Sequence, residues 1–167
     1  MSGPVIRDEA PGDAPAIRAL VDGAFATAPH ASGTEGAILD RLRADGDLTI
    51  SLVVDADGAL VGQVAFSPLT AGNEDGWLGF GPVAVAPGSQ RRGIGSALIR
   101  TGLDRAKALG ARGVALIGDP NYYARFGFEG DVGPTYGEVP SAYVQALAFG
   151  GPMPTGPLRF APAFDLA

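Results

Sequence analysis

The chain has no cysteine and a single histidine in 167 residues. The first absence removes disulfides, thiol nucleophiles and thiolate metal sites, and the second leaves too few ligands for zinc, so no metal is expected. No run approaches the ~18 consecutive apolar residues of a membrane span, and no signal-peptide pattern opens the sequence. Both point to a cytoplasmic protein with no membrane partner. Positive charge is also scarce. Twelve Lys and Arg stand against 18 Asp and Glu, for a net charge of -6 and a pI near 4.6. Without an extended basic stripe, a nucleic-acid partner is excluded. An acidic surround suits a cationic amine by steering, and a solvated surface accounts for it equally well.

What the chain does have is apolar content of 46%, 26 glycines and 14 prolines. That length and composition predict one domain, residues 1–167, with a full core. Oligomeric state is left open between monomer and homodimer.

One segment carries most of the information. Gly81-Pro-Val83-Ala84-Val85 reads as an apolar strand. It runs through a basic, glycine-punctuated loop, Gln90-Arg91-Arg92-Gly93-Ile94-Gly95-Ser96, directly into an amphipathic helix. Glycines let main chain approach an anion, successive N–H groups point inward, and the helix N-terminus adds partial positive charge. Arg91 and Arg92 supply full charges beside it. A period of 3.6 puts Ile94, Leu98, Ile99, Gly102, Leu103, Ala106 and Leu109 on one helix face. Ser96, Arg100, Asp104 and Lys107 fall opposite, and Gly110 is a natural stop. Gly113–Ile117 then reads as a buried strand.

Three designs compete for this loop. A Walker-type loop needs G-x-x-x-x-G-K-[ST], which the chain lacks. A dinucleotide fingerprint needs a third small residue where Leu98 stands, although Asp119 after the next strand mimics its ribose acid. The third is a glycine-rich surface turn without a ligand; a lone G-x-G favours it, and a basic loop between strand and helix does not.

Elsewhere, residues 5–9 read as a strand and Asp13 as the cap of a helix to about Ala26. A second helix is predicted over 35–44. Strands over 48–54 and 59–66 meet at Asp55-Ala56-Asp57-Gly58, a hairpin signal. A polar turn over 71–76 precedes a strand over 77–85. Residues 122–126 and 141–146 read as short helices, with strands flanking 150–157. The order predicts a mixed α/β sandwich with one central sheet.

Gln90-Arg91-Arg92-Gly93-Ile94-Gly95 resembles the acetyl-CoA signature (Q/R-x-x-G-x-G/A) of the GNAT N-acetyltransferases. Asn121-Tyr122-Tyr123-Ala-Arg125-Phe126-Gly127-Phe128 is similar to the Tyr-x-x-x-Gly-Phe element that follows in that family. With Gly118-Asp119-Pro120 and Gly81-Pro82-Val83, the pattern looks like its YhbS-like branch. The resemblance implies an α/β acyl-CoA transferase fold with a central sheet splayed at the cofactor site and flanked by helices. It implies acetyl-CoA as co-substrate and an amine acceptor. Val83 and Ala84 would lie along the pantetheine arm, and the Val85 N–H would face the reacting carbonyl. Residues 90–96 would hold the pyrophosphate.

Tyr123 stands where the family places its proton-donating tyrosine; the competing assignment is a core aromatic. Tyr122 is assigned a structural role. Asn121 is a cofactor-contact candidate, although the family's asparagine usually stands further upstream. Arg125 is either a phosphate ligand or a solvated charge. For the base, Glu35 is ranked ahead of His30, Glu74 and Asp75, with a water chain as the remaining option. A non-catalytic acyl-CoA sensor and a transferase of another acyl group stay open as alternatives.

Overall fold

The computed structural model describes residues 4–26 and 33–167. Its centre is a sheet in the order β1-β2-β3-β4-β5-β7. The strands are β1 (Val5–Asp8), β2 (Ile50–Ala56), β3 (Ala59–Ala71), β4 (Glu74–Val85), β5 (Gly113–Ile117) and β7 (Val144–Ala148). Two short strands, β6 (Pro134–Thr135) and β8 (Gly156–Arg159), pair with each other in parallel, and β8 pairs antiparallel with the end of β3. Within the central sheet β4 and β5 run parallel, and the other neighbours are antiparallel. A doubly wound dinucleotide fold, with its mostly parallel sheet, is thereby ruled out.

Period-2 alternation in the strands builds a layer on each face. From β2, β3 and β4, Val53, Ala65 and Ala84 meet Ile17 and Val21 of α1 (Ala14–Phe25) and Leu39 of α2 (Glu35–Asp45). Leu52, Val54, Val64 and Phe66 face the other way. They pack on Leu98, Ile99, Leu103 and Ala106 of α3 (Ile94–Ala108). Leu109 departs from the expected face: the helix ends one residue earlier, and Leu109 is 58% exposed. Gly110, at φ 85°, takes the left-handed conformation expected of the stop.

The hairpin signal holds in detail. β2 and β3 are joined by Asp57 and Gly58, both at positive φ, as a type I′ turn requires. The Asp55 carboxylate accepts the Gly58 N–H at 2.7 Å.

Other expectations are corrected. The polar turn expected over 71–76 narrows to Gly72 and Asn73, because β3 and β4 extend to Ala71 and Glu74. Asp13 occupies the N-cap position of α1, but its side chain does not bond into the helix. It accepts from the Ala10 N–H and from Arg7 instead, which holds its carboxyl below the usual range. The helix expected over 141–146 is a single 3-10 turn (Ser141–Tyr143) followed by β7. The free edge of β5 recruits Val144–Ala148, and such long-range pairing outweighs local preference.

Gly102 shows how closely α3 sits on the sheet. A Cβ there would overlap the ring of Phe66, a fully buried residue. Gly102→Ala is expected to cost about 1–3 kcal/mol through overpacking. A thermal melt followed by circular dichroism checks this. A midpoint lowered by several degrees is the expected result.

Candidate active site

The site begins where two strands part. β4 and β5 pair only from Trp77↔Gly113 to Gly79↔Ala115, yet β4 continues to Val85. Register on the other side explains the bend. Val64 opposes Val83 and Phe66 opposes Phe80, so Ala65 faces both Gly81 and Pro82. That two-against-one count is a β-bulge, which turns a strand end out of the sheet.

Past the bulge, hydrogen-bonding direction alternates. The Ala86 N–H donates to Val61 O at 2.9 Å, so the main-chain groups of Val83 and Val85 turn to the open edge. Gln90 Nε2 donates to Val85 O at 3.3 Å and folds the loop back over that edge. Ala84 points its methyl group into the α1–α2 layer and is buried.

The loop itself is a nest. After a 3-10 turn (Pro87–Ser89), Arg91 and Gly93 take φ 65° and 78°. Left-handed backbone at a non-glycine residue is uncommon, and such alternation aims consecutive N–H groups inward. Ala97 N–H makes the bond to Gly93 O that starts the α3 ladder, leaving Ile94, Gly95 and Ser96 with no intrahelical acceptor. No side chain caps this end, and no acid sits in the first turn. The cavity in front measures about 430 Å³ and is lined by Val85, Ser89, Gln90, Arg91, Gly93, Ile94, Gly95, Ser96, Tyr122 and Arg125. Arg92 is exposed outside it.

Arg125 belongs to this cavity through a neighbour. Its Nε donates to Tyr122 O at 2.8 Å, and its guanidinium stacks 4.4 Å from the Tyr122 ring centroid. Tyr122, expected from sequence to be structural, lines the cavity as well. Its hydroxyl would lie 3.8 Å from a Cβ at Gly95, so it closes the cavity opposite the helix start. The Tyr-Tyr doublet was the available signal, since adjacent residues on a helical turn point in different directions. Asn121 faces away, into a second cavity beside β5.

Tyr123 sits in the wedge. It follows Asp119, whose Oδ1 accepts the Asn121 N–H at 2.9 Å and so caps the short helix α4 (Pro120–Tyr123). The Tyr123 ring packs edge-on to Phe80 of β4 at 5.6 Å and to Phe128 at 6.1 Å. Its other side meets Gly118, where a Cβ would fall 2.6 Å from Cε2. Gly118 is anchored in turn, donating to Tyr143 O at 3.1 Å and accepting from the buried Gln145 Nε2 at 2.9 Å. Burial, then the nearby Tyr122 and Asp119, raise the Tyr123 phenol from 10.0 to about 12. At neutral pH it keeps its proton.

The acids fall in different places. Glu35 opens α2, accepts the Gly33 N–H at 3.1 Å, and belongs to the layer across the sheet from Tyr123. Glu74 and Asp75 stand at the opposite end of β4 from Val85, on the order of 30 Å away at ~3.3 Å per residue. Glu74 is paired there with Arg112 at 3.2 Å. Neither can serve as base for chemistry at Val85. His30 lies outside the described residues. Among the described residues no group of three or more His, Cys, Asp or Glu side chains is placed to hold a metal. No helix among them is long and apolar enough to cross a membrane.

A prised-open strand end offers main chain to a long carrier, and the nest beside it receives the carrier's phosphates; that defines an acyl-carrier transferase fold. The model of the family described as "Acetyltransferase (GNAT) family" matches residues 16–128, and the chain belongs to that family. It is 41% identical over 127 residues to the uncharacterized N-acetyltransferase YhbS of Escherichia coli K12, covering 75% of this chain and 73% of that one. A GNAT family acetyltransferase from Brucella melitensis, solved in complex with acetyl-CoA, superposes with a TM-score of 0.88. It is 44% identical, over 99% of this chain and all of the other. YhbS from E. coli in complex with CoA superposes with a TM-score of 0.86 at 33% identity, over 99% and 93% of the two chains.

Proposed function

We propose that the protein transfers the acetyl group of acetyl-CoA to a primary amine of a small molecule or protein by direct attack in a ternary complex. The observation that carries this reading is the open edge of β4 at Val83 and Val85 continuing into the basic nest of residues 90–96. The cavity fits the group. It offers main-chain N–H donors, Gln90, Arg91 and Arg125 to phosphates, and a glycine at its back wall where a bulky side chain would fill the space.

Acetyl-CoA supplies a thioester whose carbonyl carbon takes the amine nitrogen as the C–S bond breaks, with one proton lost by the amine and one gained by the sulfur. The chain's own residues then divide the work. Val83 main chain pairs with the pantetheine arm. The Val85 N–H, fixed by the bulge, is a preorganised donor where charge develops on the carbonyl oxygen. Arg125, held flat by Tyr122, and Arg91 balance phosphate charge. Tyr123, protonated throughout, donates a hydrogen bond to the departing sulfur, which takes its proton from solvent. Arg92 adds longer-range attraction from the rim, and Asn121 belongs to the acceptor side.

The acceptor enters from the α1–α2 layer, which carries Glu35, so the base and the Tyr123 phenol act from opposite faces of the split sheet. Glu35→Gln is expected to lower kcat/KM for the amine by about tenfold or more, most strongly at low pH where the amine is protonated. Acetyl-CoA affinity should be unchanged. A pH profile of thiol release checks this, and a profile identical to the parent protein's would assign the proton to water instead.

Calorimetric titration with acetyl-CoA, against desulfo-CoA as a thiol-free comparator, tests the reading as a whole. Saturable binding in the ~1 μM to 1 mM range of enzyme substrates is expected. Failure of both ligands to bind would overturn it.

A further inference from the structure

Resting on that reading, we propose that the cavity beyond Gly118 is the acceptor pocket, and that its acceptor is a small primary amine carried on an apolar or aromatic group. The cavity measures about 670 Å³ and is lined by Ile117, Gly118, Asp119, Asn121, Val139 and Tyr143. That is within the range of small-molecule sites.

Position comes first. Gly118 follows directly on β5, the strand that parts from β4. The Tyr123 ring packs on Gly118, and Gly118 is also a wall of this cavity. The phenol and the cavity are therefore separated by a single residue without a side chain. An amine seated there reaches the wedge with its apolar body still enclosed.

Face comes second. Along β5, Val114 and Leu116 turn into the α3 layer, and alternation sends Ile117 to the other face, the side of α1 and α2. The rest of the strand is buried, yet Ile117 is 38% exposed and Tyr143, across the same cavity, is 45% exposed. Val139, half-buried, completes the apolar wall. An apolar wall rewards an apolar ligand and gives nothing to a polyamine's repeated charges.

Charge comes third. Of the residues lining this cavity, Asp119 carries the charge, and it is negative. Its Oδ1 caps α4 through Asn121, leaving the carboxylate at the rim. An ammonium group is attracted there, and an acceptor with its own carboxylate is repelled. Free amino acids are thus disfavoured, and a single-amine ligand with a hydrophobic body is favoured.

The experiment compares amines at saturating acetyl-CoA by thiol release, using phenethylamine and hexylamine against spermidine and lysine. Phenethylamine is expected to exceed spermidine in kcat/KM by at least tenfold. Tyr143→Ala and Ile117→Asn, both exposed changes, should each raise its KM about tenfold without altering acetyl-CoA affinity. Equal or better turnover of spermidine or lysine, or unchanged KM in both variants, would overturn the inference and leave the transferase reading intact. Calorimetry of phenethylamine into the CoA-saturated protein is read alongside. If no amine releases thiol, the pocket is overturned where no saturable phenethylamine binding is seen and retained where Tyr143→Ala abolishes such binding; the transferase reading falls only if acetyl-CoA itself fails to bind.

Discussion

Gly95→Phe is expected to lose acetyl-CoA binding by at least a hundredfold, about 2.8 kcal/mol at ~1.4 kcal/mol per tenfold, while the chain remains folded. Gly95 lies in the first turn of α3 with ordinary helical backbone, so a side chain there brings no backbone strain. Its Cβ would meet Val85 Cγ2 at 3.6 Å and Tyr122 Oη at 3.8 Å, both normal contact distances. Everything beyond Cβ must then occupy the cavity in front of the nest. Gly95→Ala is the matched control, expected to fold normally and retain most affinity. Gly93 behaves differently. At φ 78° it cannot take a side chain without strain, and Gly93→Ala is expected to reduce stability by about 1–2 kcal/mol before any effect on binding. Calorimetry and thermal melts on the three variants separate the two glycines. Retained affinity in Gly95→Phe would show that the pyrophosphate lies elsewhere.

These two glycines also mark what the sequence makes legible. α3 was readable because its periodicity is long and its start and stop are punctuated by residues with a physical reason to be there. The hairpin at Asp57-Gly58 was readable for the same reason. Topology was not. Nothing local in Val144–Ala148 announces that β5 has a free edge to pair with, and Gly81-Pro82 does not show that Ala65 will face two residues at once. The acids illustrate the cost. Glu74 and Asp75 looked near the site because they precede the right strand, but a strand is a rod and they stand at its far end. Tyr122 and Tyr123 are adjacent in sequence and sit in different chemistry, one lining the phosphate cavity and one wedged between β4 and Gly118. Only the fold divides such a pair.

That division sharpens what Tyr123 does. A phenol held at about 12 is a poor acid towards a thiolate, whose conjugate thiol ordinarily has a pKa near ~8.5, so full proton transfer during C–S cleavage is uphill by roughly 3.5 pH units. The same raised value keeps Tyr123 a hydrogen-bond donor across the whole working range, stabilising charge on sulfur as it forms. Tyr123→Phe is therefore expected to lower kcat by about 10²–10³-fold, with acetyl-CoA affinity nearly intact. The reduction should be the same from pH 6 to 9, because the phenol does not titrate there. An acid with a pKa inside that range would instead give a loss that fades as pH rises. Stability carries a second signature with a definite sign. The folded phenol keeps its proton when the unfolded one has lost it, so the protein loses stability as pH climbs from about 10 to about 12. Tyr123→Phe removes that dependence. Single-turnover kinetics and urea melts across pH read both effects. Unchanged turnover at every pH would return Tyr123 to the core and leave the departing sulfur to solvent.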